Sequence, residues 1–278
     1  MSQKNPLLRA ARYLAPLTVL ACATTLLIGP SADADPVDTV GLPISSTDMA
    51  TLGWVAKEQP RIGSITTLPA SFVLDDTPTT GPLMRVELRP GETYTAPGGK
   101  RVARAEVLGR IPKDRTLPAT LWADPPESER WYSFKVFFPE GFPVAADTRW
   151  LMFTQWKGLQ GGSPPLALEV KRSGLRLGGT RTNAFQVPND GDLGPISFGH
   201  WTRLTVGVHW STDSSLGWVT VYRDGVEVLA RTPVSTMDTV DGAPDPVYLK
   251  QGLYRSAAWT QTQFLYLSPM QVTSTRPS

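Results

Sequence analysis

Trp218-Val219-Thr220-Val221-Tyr222-Arg223-Asp224-Gly225-Val226-Glu227-Val228-Leu229 consists of two runs rich in β-branched residues joined by Asp-Gly. A tight hairpin turn needs positive φ at both central residues. Asp-Gly accepts that conformation cheaply, so the stretch reads as two antiparallel strands. Working outward, period-two segments recur at Met84–Arg89, Val102–Leu108, Trp131–Phe138, Trp150–Lys157, Leu166–Lys171, Trp201–Trp210, Val247–Tyr254 and Gln263–Leu267. Clusters of Pro, Gly, Asn and Asp bound them, and no long stretch has helical periodicity. Many short strands with short turns predict an all-β, two-sheet antiparallel sandwich rather than βαβ units.

The beginning of the chain has a different character. Lys4, Arg9 and Arg12 precede an apolar run from Leu14 to Ile28, and the small-residue site Ala32-Asp33-Ala34 follows. That order predicts a secretory signal over residues 1–34, a secreted protein and no membrane insertion, since the run is short and interrupted by Pro16. Cys22, the sole cysteine, sits in this leader, so no disulfide is expected afterwards. A lipid anchor at Cys22 fits poorly, because Leu20 stands where a small residue is wanted. The leader carries off Lys4, Arg9, Arg12 and Asp33, so 27 basic and 25 acidic residues become 24 of each. A neutral chain predicts no nucleic-acid partner, and any anion site must come from local clustering of cations. Residues 35–82, rich in Pro, Thr, Ser and Gly, read as an irregular arm, and residues 83–278 as the β domain.

Three strands carry polar side chains two residues apart, hence on one face. Arg85, Glu87 and Arg89 form one row; Gln155 and Lys157 a second; Tyr248, Lys250 and Tyr254 a third, with Gly252 between the last two. Each row alone is an ordinary solvated strand face. Together, with Trp150 and Trp259 nearby, they offer what an acidic sugar needs: cations for carboxylates, an amide for hydroxyls and aromatic faces for rings.

Arg85-Val86-Glu87-Leu88-Arg89, Gln155-Trp156-Lys157 and Tyr248-Leu249-Lys250-Gln251-Gly252-Leu253-Tyr254 resemble the three signature strands of jelly-roll polysaccharide lyases, the group that includes alginate, glucuronan and heparin lyases. The resemblance extends over Trp131–Pro143, Gly161–Val170 and Trp201–Gly225, and its glucuronan-lyase and heparin-lyase-like branch is nearest in motifs. It implies a concanavalin A-like jelly roll with a concave substrate groove, an acidic polysaccharide as partner, and cleavage of a 4-linked polyuronate by β-elimination; a monomer is expected, although no sequence feature sets the oligomeric state.

The resemblance assigns Tyr254 to proton transfer. Gln155, with Arg85 or Lys250, would offset the carboxylate charge while the proton beside it is removed. Lys157, Arg89, Tyr248, Trp150 and Trp259 would bind sugar. Relatives usually carry His where this chain has Lys157, and Lys157 is assigned to charge stabilisation. With Tyr254 as both base and acid, the proton and the leaving oxygen must share one side of the ring, which favours a glucuronan-like substrate. No cofactor is required for this chemistry. Some relatives hold a structural calcium, for which Asp190-Gly191-Asp192 is the most obvious acidic turn, while His200 and His209 read as structural and form no zinc motif.

Other functions are weighed on the same residues. A glycoside hydrolase needs two facing carboxylates, and no Glu-x-Asp-x-x-Glu strand is present; Glu87, between Arg85 and Arg89, reads as an ion-paired structural acid. A non-catalytic, lectin-like sandwich is the main alternative, because a fold can keep its groove after losing its chemistry. A cell-surface interaction domain contacting partners through the arm is the third.

Overall fold

Gln155 and Tyr254 sit on adjacent strands of one sheet, and Arg85 sits in the other; the sandwich is built so that these two placements are incompatible with a single site. The computed structural model describes residues 42–43, 45–51, 54, 56–69, 74–75, 82–96, 99–109, 123–145, 147, 149–172, 174–179 and 187–277. Val40–Ser278 form one compact unit. The expected leader, with Cys22, lies outside the described residues.

The first sheet runs in the order β1 (Leu42–Pro43), β3 (Ile65–Leu68), β4 (Leu83–Leu88), β18 (Gln263–Leu267), β7 (Ser128–Phe137), β12 (Trp201–Trp210), β13 (Trp218–Arg223) and β14 (Val226–Pro233), with β19 (Gln271–Thr273) also on β7. The second runs β11 (Asp192–Pro195), β10 (Gly174–Gly178), β9 (Leu166–Lys171), β8 (Leu151–Gly158), β17 (Val247–Ser256), β6 (Arg101–Leu108) and β2 (Ala56–Glu58), with β5 (Tyr94–Thr95) on β6. β15 (Asp238–Val240) and β16 (Ala243–Asp245) form a small ribbon, and a short α-helix, α1 (Ser46–Thr51), precedes β2. All the pairings are antiparallel, so the fold is the expected jelly-roll sandwich. The hairpin turn has Asp224 at φ 51° and Gly225 at φ 85°, as the Asp-Gly pair requires.

Alternate residues of both sheets fill the core. Met84, Val86 and Leu88 come from β4, Ala103, Ala105 and Val107 from β6, Leu249 and Leu253 from β17, and Leu151, Phe153 and Trp156 from β8. Burying such side chains stabilises the sandwich by roughly 1.5–3 kcal/mol each. One expectation needs correcting. Within the presumed arm of residues 35–82, β1 and β3 extend the first sheet and β2 borders β6 in the second. Short strands of Lys, Thr and Glu carry little hydrophobic periodicity of their own; pairing at a sheet edge orders them.

Two irregularities position the site. Against β9, strand β8 has an extra residue between Met152 and Thr154. A bulge of this kind shifts the inward–outward alternation, so Met152, Gln155 and Lys157 face outward while Leu151, Phe153 and Trp156 face the core. Strand β17 has its own shift against β8 between Gln251 and Tyr254. It contains Gly252 at φ 144°, where an added Cβ would lie 2.2 Å from the Ala105 carbonyl oxygen. Only glycine allows the two backbones to approach so closely there.

Candidate active site

The outer face of the second sheet holds a cleft of about 220 Å³ lined by Lys100, Arg104, Trp150, Gln155, Lys157 and Tyr254, among others. Arg104 and Tyr254 are direct cross-strand neighbours, and the guanidinium lies 4.2 Å from the Tyr254 ring centroid. On its other side Arg104 approaches the Tyr94 ring at 5.8 Å. Burial, with Arg104 pulling the other way, pushes the Tyr94 phenol up to about 12, so it stays protonated.

Beneath the cleft is a buried ionic cluster. Glu106, 1% exposed, accepts from Gln155 Nε2 at 2.5 Å and pairs with Arg104 at 2.8 Å and Lys250 at 3.1 Å. Glu58, from the edge strand β2, joins Arg104 at 2.6 Å and Lys250 at 2.8 Å. Burial alone would raise Glu58, but Lys250 and Arg104 outweigh it and leave its carboxyl below the ordinary range. Burial likewise opposes charge on Arg104, and Glu106 and Glu58 overcome it, holding the guanidinium charged. Two carboxylates and two cations balance in the floor, so Gln155 and Arg104 are held in place by charged hydrogen bonds.

Lys157 differs from these cations. Its Nζ donates to the Gly162 carbonyl at 2.5 Å. Burial, followed by the nearby charge of Lys250, pulls its pKa down to about 8, against the opposing pull of Asp245 and Asp238. At pH 7 roughly one Lys157 in ten is then a neutral amine, and about half at pH 8. At one end of the cleft Trp150 meets the Tyr254 ring edge-on at 4.7 Å, and Lys100 lies 4.7 Å over the Trp150 ring.

The other expected site residues are placed as follows. Arg85 lies on the outer face of the first sheet, over Phe264 at 4.4 Å and paired with Glu87 at 2.7 Å. Arg89 pairs with the same Glu87 at 2.6 Å, and Arg61 is a third partner. The row on β4 is thus an ion-paired strand face and does not meet Gln155 or Tyr254. Burial would raise Glu87, but Arg89 and Arg85 hold it low, as suits a structural acid. Lys250 is 2% exposed and sits within the ionic floor rather than on the cleft wall. Tyr248 is buried opposite Lys157. Trp259 is 4% exposed and donates to the Trp150 carbonyl at 3.2 Å, so it supports Trp150 from behind.

His209 stacks on Trp218 in the first sheet, and the His200 side chain is 73% exposed near Asp75, both apart from the cleft residues. In the acidic turn offered for calcium, Asp190 is paired with Lys171 and Arg176, both at 2.6 Å. Among the described residues no group of three or more His, Cys, Asp or Glu could hold a metal. Among them, too, no helix is long and apolar enough to cross a membrane.

Sequence reading missed Arg104, Glu106, Glu58 and Lys100. A signal existed for the first two: Arg104-Ala105-Glu106 repeats the arginine–x–glutamate spacing of Arg85-Val86-Glu87.

The family model for polysaccharide lyases matches residues 62–271. The chain belongs to that family. It is a polysaccharide lyase, against the non-catalytic, lectin-like alternative, and the matched region contains Arg104, Gln155, Lys157 and Tyr254. Among solved structures, an endo-β-1,4-glucuronan lyase from the fungus Trichoderma reesei superposes with a TM-score of 0.55 at 17% identity, over 80% of this chain and 92% of that one. The alginate lyase Aly36B, as a mutant in complex with an alginate trisaccharide, gives 0.52 at 12% identity, over 84% and 93%. At these identities the likeness is one of fold. No curated protein sequence matches the chain.

Proposed function

We propose that this lyase cleaves a 4-linked polyuronate by β-elimination, with a glucuronan-like chain preferred. The observation that carries the reading is the convergence of Arg104, Gln155, Lys157 and Tyr254 on one cleft in the outer face of the second sheet. Arg104, kept charged and aimed by Glu106 and Glu58, offsets the substrate carboxylate, and Gln155 adds an amide contact to the enolate-like transition state. Two groups there can move protons. Lys157, with its pKa near 8, takes the carbon-bound proton, and Tyr254 delivers one to the departing glycosidic oxygen. This revises the charge-stabilising role first given to Lys157: burial makes its neutral form accessible.

Lys157 and Tyr254 both rise from the floor of the cleft, so a sugar lying on the sheet meets them from one side. Elimination with proton and leaving oxygen on one side of the ring suits glucuronate and mannuronate. The glucuronan lyase and the alginate lyase, each built on this fold, support a uronate substrate for this chain. Export by the pattern of residues 1–34 belongs to the same reading, because such polymers lie outside the cell.

Incubation with glucuronan, mannuronan and guluronate-rich alginate, followed by ultraviolet absorbance of the new unsaturated end, tests the proposal. Absorbance should grow fastest with glucuronan, and Tyr254→Phe should abolish it while oligosaccharide binding persists. Faster cleavage of the guluronate-rich polymer contradicts the one-sided geometry, and full activity in Tyr254→Phe contradicts its role. A native N-terminus near Asp35 in culture fluid would be the mark of export.

A further inference from the structure

A second cavity, of about 510 Å³, lies at the β9–β10–β11 edge of the same sheet and is lined by Lys171, Arg172, Arg176, Asn189 and Asp190 among others. Strand register joins it to the active cleft. Arg104 is opposite Tyr254, Tyr254 opposite Met152, Met152 opposite Glu169, Glu169 opposite Arg176, and Arg176 opposite Asp192. Direct cross-strand partners share a face, so one line of side chains crosses the sheet from the proton-transfer groups to the second cavity. From Tyr254 to Arg176 it spans three strand spacings, about 14 Å. An extended 4-linked pyranose chain advances by about one strand spacing per sugar, so the cavity lies about three sugars from the bond being cut.

The cavity is built to grip a carboxylate. Lys171 Nζ and Arg176 Nη2 converge on the two oxygens of Asp190, each at 2.6 Å, and Arg176 Nε also donates to the Asp190 carbonyl at 2.7 Å. The Asp190 side chain is 64% exposed, and an exposed ion pair of this kind holds weakly. Arg172 adds a third cation. It occupies the tight turn between β9 and β10 at φ 58°, where Gly or Asn is the usual residue. An arginine tolerated there against its conformational preference brings charge to the cavity rim.

We infer that the cavity at the β10–β11 edge is a distal subsite that takes the carboxylate of a uronate about three residues from the scissile bond, exchanging it for Asp190 on the Lys171–Arg176 clamp. The inference rests on the polyuronate reading above. The subsite contributes binding and no chemistry, so it acts on long chains and is out of reach of short ones centred on Tyr254.

The test compares unsaturated-end formation from a glucuronan tetrasaccharide and a dodecasaccharide in the wild type, the double variant Lys171→Ala/Arg172→Ala, and Asp190→Asn. The double variant should raise KM for the dodecasaccharide about tenfold, with kcat held and tetrasaccharide kinetics within twofold of wild type. Asp190→Asn, which weakens the competing internal carboxylate, should lower the dodecasaccharide KM about threefold. Unchanged dodecasaccharide KM in both variants, or equal changes for both lengths, overturns the subsite while leaving the lyase reading intact. A wild-type protein that cleaves no polyuronate overturns that reading and the subsite with it.

Discussion

Replacing Gly252 by alanine perturbs the site without removing any functional group. The new Cβ would stand 2.2 Å from the Ala105 carbonyl oxygen and 2.8 Å from the Glu106 Cα, both backbone atoms of β6 that cannot rotate away. Residue 252 would also have to keep φ 144°, which side chains other than glycine's rarely accept. Strained backbone costs about 1–3 kcal/mol and overpacking about 1–3 kcal/mol, so the variant should lose roughly 2–6 kcal/mol of stability. Relief requires β17 to move off β6, which separates Tyr254 from Arg104 and disturbs the ionic floor at Glu106. Urea denaturation of wild type and variant measures the loss, and unsaturated-end absorbance under conditions where both are folded measures the effect on turnover. A loss below about 1 kcal/mol with undiminished kcat would show that the close approach at Gly252 is not what sets the register.

Other consequences are equally direct. If Lys157 must be neutral to accept the proton, kcat/KM should climb about tenfold per pH unit below 8 and level off above it; a flat profile from pH 6 to 9 removes Lys157 as base. The same lowered pKa implies that between pH 8 and the ordinary lysine value of 10.5 the unfolded chain holds a proton that the folded one has shed. Lys157 therefore adds stability as pH rises through that window, measurable by denaturation against a Lys157→Met variant. Glu106→Ala strands Lys250 and Arg104 with one carboxylate between them and should cost about 3–5 kcal/mol, with kcat falling as Gln155 loses its anchor; a loss under 1 kcal/mol would mean that the floor is not a charge-balanced unit. Arg85→Met, on the far sheet, should leave kcat/KM within twofold, and a loss above tenfold would place Arg85 at the site after all.

Local chemistry in the sequence determined the long strands of the β domain and which of their residues share a face. Asp224-Gly225 set the hairpin, and period-two spacing put Lys250 with Tyr254 and Gln155 with Lys157 on the outward side. Those features depend on a residue and its near neighbours, so one chain suffices to read them. Sheet membership does not. Arg85-Val86-Glu87 and Arg104-Ala105-Glu106 have the same spacing and the same alternation, yet β4 pairs with β3 and β18 while β6 pairs with β17. Only that long-range pairing brings Arg104 to Tyr254 and sends Arg85 to the opposite sheet. The fall in the Lys157 pKa and the recruitment of Glu58 from an edge strand are likewise tertiary effects, since burial and charge contact arise from residues distant in sequence.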